Sequence, residues 1–170
     1  LALVFLLLPA PAASKAFRIS GEDIVVLWAE TAWEDEAADV MHFSGGFEMR
    51  VRDWVLVSDR ATVRGPLEDP EIIEVQGSPA QLVLARGTEE RPEPVTAQAL
   101  RIVYTRDSER VLLDGAAVLV QGQTTLHSDS IEYELDTDRL HASGGTAVRI
   151  DLSELEPGSE QPEHRSTPVP

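Results

Sequence analysis

From Phe17 onward the chain alternates apolar and polar residues with a period of two, and the alternation returns at intervals near 29 residues. A period of two places successive side chains on opposite faces of an extended strand, whereas a helix needs apolar residues three and four apart. In Gly46-Phe47-Glu48-Met49-Arg50-Val51-Arg52, Phe47, Met49 and Val51 share one face and the charged residues share the other. The stretches Ala99–Tyr104 and Ser130–Leu135 behave the same way. Val, Ile, Thr, Tyr and Trp fill such runs, and Gly, Asp and Ser punctuate them, as strands joined by turns require. No stretch carries a helical pattern, so the expected fold class is all-β, built from repeated antiparallel strands.

The repetition is specific. A small residue followed by an acidic or amide residue and then alternation occurs at Ala29-Glu30, Ser58-Asp59, Ala97-Gln98 and Ser128-Asp129. A glycine that is expected to open a strand recurs at Gly46, Gly115 and Gly145. Tyr104 and Tyr133 lie 29 residues apart, as do Glu30 and Asp59. A period near 30 with two strands per unit implies stacked hairpins, none able to bury its apolar face alone. Between strands, Asp136-Thr137-Asp138 and Arg106-Asp107-Ser108 supply side chains that hydrogen-bond their own backbone in turns.

Both ends differ from this pattern. Leu1–Leu8 is an apolar run, and Pro9–Ala16 is rich in small residues with an A-x-A-like pattern. These are the h-region and cleavage zone of a secretory signal peptide over residues 1–16, with cleavage after Ala12 or Ala16. With no initiating Met and no basic n-region, the signal reads as clipped at its front. The competing reading is the stump of a membrane anchor, although the run is far short of the roughly 20 residues that span a bilayer. The expected β domain covers 17–151. Beyond it, Pro157, Gly158, Pro162, Pro168 and Pro170 among Glu and Ser predict a disordered acidic tail over 152–170.

Charge and composition narrow the function. With 14 Lys+Arg against 30 Asp+Glu the formal charge is −16, which argues against a nucleic-acid partner, since phosphate binding needs a concentrated basic face. There is no cysteine, so disulfides and thiolate chemistry are excluded. His42, His127, His141 and His164 show no paired ligand spacing and are read as solvent-facing rather than metal-binding. Glu30, Asp59 and Asp129 recur with the repeat, which suits a structural role at a strand start better than a catalytic pair. No P-loop or Gly-x-Ser-x-Gly signature occurs, so neither an enzyme nor a cofactor is expected.

Ser128-Asp-Ser-Ile-Glu-Tyr133 followed by Asp136–Gly145 resembles the repeat of the OstA-like domain. Ile73–Ala80, with Pro94–Ala99 behind it, resembles the Gly-x-Pro-Ala segment of the LptA/OstA family. The resemblance runs from about Ile24 to Ile150. Gln98, where other repeats carry an acid, the absence of Asn after Gly115, and the loose first repeat around Trp28–Trp33 depart from the pattern.

The family resemblance implies a twisted, incompletely closed β-jelly roll. It further implies a periplasmic carrier whose copies stack head to tail between the inner and outer membranes and pass lipopolysaccharide along a hydrophobic groove. The implied partners are the acyl chains of lipid A, an LptC-like inner-membrane subunit, an LptD-like outer-membrane protein and further copies of the chain. The strand around Asp23–Leu27 would meet an upstream partner, and that around Thr146–Ile150 the next copy. An LptC-like subunit or a translocon N-terminal domain would share the fold. A self-assembling scaffold with a dry core is the alternative of a different class.

Continued strand phase assigns Phe47, Met49, Val51, Val55, Val57, Val63, Leu82, Leu84, Leu100, Ile102, Tyr104, Val118, Val120, Ile131, Tyr133, Val148 and Ile150 to the inward face as the candidate lipid-binding groove. Trp54 and Leu56 fall on the opposite face, so Trp54–Val57 is apolar on both sides.

Overall fold

The computed structural model describes residues 25–51, 53–86 and 93–151. The signal peptide expected over 1–16 and the tail expected over 152–170 lie outside them. Among the described residues ten strands form one antiparallel sheet: β1 (Val26–Trp28), β2 (Thr31–Asp35), β3 (Val40–Val51), β4 (Trp54–Arg64), β5 (Ile72–Leu84), β6 (Val95–Thr105), β7 (Arg110–Gln121), β8 (Thr124–Glu134), β9 (Arg139–Ser143) and β10 (Ala147–Ile150). The path is a meander from β3 to β8, each strand pairing with the next. β1 and β2 share the outer side of β3, and β9 and β10 share that of β8, so each pair acts as one interrupted strand.

The six central strands run 11 to 13 residues, about twice the usual strand length. Every one of them is creased at its middle. The pairing shifts between Ser44 and Phe47, Val57 and Arg60, Gln76 and Ala80, Gln98 and Arg101, and Asp114 and Ala117. These irregularities line up across the sheet, and bulges bend strands. The sheet therefore folds into two facing layers joined along one crease. Layer one holds β2, β9 and the halves around Ala61–Val63, Ile73–Val75, Ile102–Tyr104 and Ile131–Tyr133. Layer two holds β1, β10 and the halves around Phe47–Val51, Trp54–Leu56, Leu82–Leu84 and Ala117–Leu119. One apolar core lies between them.

The sequence repeat builds the crease. Gly45 and Gly46 (φ 80° and 78°), Gly115 and Ala116 (81° and 49°) and Gly144 and Gly145 (77° and 49°) take left-handed backbone at equivalent points. From the neighbouring column, Glu30 (in the break between β1 and β2) overlies Gly45, Leu100 overlies Gly115 and Asp129 overlies Gly144. A Cβ on Gly115 would meet the Leu100 Cδ1 at 3.0 Å, so the position needs glycine for space as well as for φ. Ser128 Oγ donates to the carbonyls of Ser143 and Gly144 at 2.8 and 2.9 Å, fastening the last crease.

Two expectations are corrected here. Gly46 and Gly115 lie inside β3 and β7 and do not open them, because the left-handed pair bends a strand that continues. In the third repeat Leu100, not Gln98, holds the place of Asp59 and Asp129. Ala99 is buried, Leu100 exposed and Ile102 buried, matching Ser128, Asp129 and Ile131.

No contact joins the first strands to the last among the described residues, so the sheet does not close into a barrel. Its eight columns extend roughly 30 Å at the usual strand spacing. The result is a twisted, incompletely closed β-jelly roll.

Candidate functional site

The interior between the layers gathers most of the residues expected to face inward. Phe47, Met49, Val51, Val63, Leu82, Leu84, Ile102, Tyr104, Ile131 and Tyr133 are all buried in one core. Val148 and Ile150 sit opposite Leu126 and Thr124, on the inner face of the last column. They are nonetheless 59% exposed, because among the described residues no strand pairs with the outer side of β10.

Val55, Val57, Leu100, Val118 and Val120 are corrections: all five point away from the interior. At a crease, consecutive inward residues stand three to five apart in place of two. In β4 the inward side chains are Trp54, Leu56 and Ser58, then Ala61 and Val63. Phase carried back from Val63 therefore selects Val55 and Val57, with Val57 41% exposed. In β6 the step from Ala99 to Ile102 leaves Leu100 outside. In β7 the step from Leu113 to Ala117 is four and keeps the phase; Val118 and Val120 come instead from aligning Gly115 with Gly46, whereas the left-handed pair matches it to Gly45, which leaves both valines outside and Leu119 inside.

Strict alternation, phased as above, also misses Trp54, Leu56, Leu113, Leu119 and Leu126, which belong to the core with Phe43. The signal for Trp54 and Leu56 was their bulk. Given Trp and Leu on one face and Val on the other, the larger pair releases more apolar area when buried.

Aromatic contacts hold the site together. Phe43 and Phe47 pack across the crease at a ring-centroid distance of 5.2 Å. Trp54 at the free end of layer two meets Tyr104 at the free end of layer one, at 5.6 Å. Beside them the hydroxyl of Tyr133 donates to the Asp138 carboxylate. Burial, and then that hydrogen bond, push the Tyr133 phenol up to about 12.

The outer face of layer one is charged and ordered. Arg101 Nε and Nη2 donate to both oxygens of Glu74 at 2.8 and 2.9 Å, and Arg60 Nη2 donates to Gln76 at 2.6 Å. The Arg101 hydrogen bond holds the Glu74 carboxyl below its ordinary range, against a smaller opposing effect of burial. Arg110 pairs with Glu132 and Glu134 at 2.9 and 3.1 Å. Exposed pairs of this kind contribute at most about 1 kcal/mol each. Their chief consequence is a solvated exterior around an apolar interior.

The two ends of the sheet complete the site. At the last column Leu140, Val148 and Ile150 present apolar inner-face side chains that are 40%, 59% and 59% exposed. At the first column Val25 and Leu27 are half-buried against the core. Each end also carries strand backbone with no neighbour on its outer side among the described residues.

A creased, unclosed antiparallel sheet with an apolar interior that reaches both of its free edges defines an OstA-like β-jelly roll. Residues 29–139 match the family described as LptA/(LptD N-terminal domain) LPS transport protein, and the chain belongs to that family. Among solved structures it is similar to LptH of Pseudomonas aeruginosa, the LptA homologous periplasmic component of the conserved lipopolysaccharide transport device. The two share 18% identity with a TM-score of 0.70, over 78% of this chain and 99% of that one. At that identity the likeness carries the fold. No curated protein matches the chain significantly.

Proposed function

We propose that this chain is a periplasmic carrier that holds the acyl chains of lipopolysaccharide between its two layers and hands them along a bridge of stacked jelly rolls. The observation that carries the reading is the last column, where Leu140, Val148 and Ile150 continue the apolar interior to an edge that no strand pairs with among the described residues. An interior that served only to stabilise this one molecule would be expected to end in polar side chains there.

The physical need is clear from the cargo. Each methylene moved into water costs ~0.8 kcal/mol, so a chain of about a dozen carbons costs roughly 10 kcal/mol to expose. A carrier must keep the chain covered along its whole path. Stacking one copy's last column on another's first column would make the interiors continuous, and free strand edges favour such addition. The contact is heterologous and therefore propagates. LptC-like and LptD-like jelly rolls would occupy the two ends of the stack, beside the inner and outer membranes.

Titration of the protein with a fluorescent lipid, followed by displacement with lipopolysaccharide, tests the proposal. Saturable, displaceable binding is expected. A self-assembling scaffold with a dry interior would share the free edges but bind no lipid, so the absence of saturable binding would establish that reading instead.

A further inference from the structure

At the middle of the sheet the interior is sealed: Phe47, Leu113 and Ile131 have no accessible surface. No open channel runs past them, so an acyl chain that occupies the interior must first displace packing. The six long strands join the layers continuously along the crease, and opening there would break ladder hydrogen bonds. On the opposite side, among the described residues, the layers meet through their hairpin ends.

Those ends are stitched firmly within each layer. In layer one, Gly65 N donates to Asp39 O at 3.4 Å, Arg106 N to Glu71 O at 3.0 Å and Leu135 N to Glu109 O at 2.8 Å. In layer two, Ala85 N donates to Asp53 O at 2.6 Å. Between the layers the contacts are of another kind. Arg86, just beyond β5 at the free end of layer two, reaches across to the β8–β9 turn of layer one. Its Nη2 donates to Leu135 O at 3.0 Å and stands 3.7 Å from Asp138 Oδ1. The second crossing is the Trp54–Tyr104 ring contact.

We infer that acyl chains enter sideways, through the mouth opposite the crease, and that Arg86 is the latch whose release lets the two layers part. This rests on the carrier reading above. The two crossings suit separate roles. Arg86 keeps 23% of its side chain exposed, so water can take over its partners when it swings away. Trp54 and Tyr104 meet through their aromatic rings, and at that contact an inserted acyl chain replaces one apolar neighbour with another. The hairpin-end backbone bonds named above run within a layer, so neither layer needs to unfold as the mouth widens.

The test follows uptake of a dansyl-labelled fatty acid by stopped-flow fluorescence. Loss of one charged hydrogen bond from the closed state should raise the open population, so Arg86→Gln is expected to take up the probe about tenfold faster. A second variant combines Arg86→Cys with Thr137→Cys; the chain has no other cysteine, so a bis-maleimide can staple the mouth selectively. Before stapling it should match Arg86→Gln. After stapling, with an unchanged circular dichroism spectrum, uptake should fall at least about tenfold below the unstapled rate. Equal rates before and after stapling, or no acceleration in Arg86→Gln, would overturn the lateral mouth while leaving lipid binding intact. Failure of the unmodified protein to bind the probe would overturn the carrier reading, and the mouth with it.

Discussion

The indole ring of Trp54 rests against the phenol ring of Tyr104, centroids 5.6 Å apart and planes tilted by 58°, and so joins the free ends of the two layers. Its neighbour Val55 points outward from the same strand. Trp54→Ala is expected to destabilise the protein by roughly 3–5 kcal/mol, the range for deleting a large buried aromatic. Val55→Ala, at a half-buried outer position, should cost less than about 1 kcal/mol. Urea unfolding midpoints measure both, and equal losses would contradict the assigned strand phase.

Leu100 occupies the crease position that Asp59 and Asp129 hold in other repeats, and it is 53% exposed. Leu100→Asp should therefore leave thermal stability nearly unchanged, within about 1 kcal/mol. The same change at the neighbouring inward position, Ile102→Asp, buries a carboxylate without a partner and should abolish folding. Expression and melting of the two variants side by side decide the matter. Collapse of Leu100→Asp would place that residue in the core after all.

Gly144 combines a φ of 77° with close cover from Asp129, whose Cβ would lie 2.8 Å from a methyl added there. Gly122 has a φ of 55° and open space around it. Gly144→Ala should cost more than Gly122→Ala, which bears only the left-handed backbone penalty of about 1 kcal/mol. Matching melting temperatures would show that the crease tolerates displacement of Asp129.

Tyr133 gives the fold an alkaline limit. Its phenol ionises near 12 in the folded chain, against an ordinary value of 10. A raised folded value means that its contribution is complete below pH 10 and is lost as pH rises through about 12. Tyr133→Phe removes this titration, so the pH dependence of its urea midpoint should flatten between pH 10 and 12. An identical slope in wild type and variant would show that other groups govern alkaline unfolding.

The fold was legible because alternation and a 29-residue recurrence survive in residues such as Phe47, Met49, Tyr104 and Tyr133. The crease was not. A left-handed Gly-Gly pair looks like a turn in sequence, and nothing local distinguishes a strand that ends there from one that bends and continues. Val55, Val57 and Leu100 follow from that ambiguity, since a three-residue step at the crease reverses the phase, while Val118 and Val120 follow from matching Gly115 to the second glycine of the Gly45-Gly46 pair in place of the first. Leu100 compounded it, because an apolar side chain at an acidic repeat position suggested the wrong alignment. The cross-layer partners Trp54 and Tyr104 were equally hidden, since their contact depends on how far the sheet folds.

The central claim is that the inner face, continued to the open edge, holds acyl chains. The most direct measurement is photo-crosslinking to lipopolysaccharide with a diazirine amino acid placed at residues matched for exposure but differing in face. Leu140, Val148 and Ile150 are 40%, 59% and 59% exposed on the inner face; Val57 and Leu100 are 41% and 53% exposed on the outer face. The account predicts lipid adducts at the first three and none above background at the other two. Equal labelling at all five would show that lipid meets this protein wherever apolar surface is exposed, and would contradict the groove.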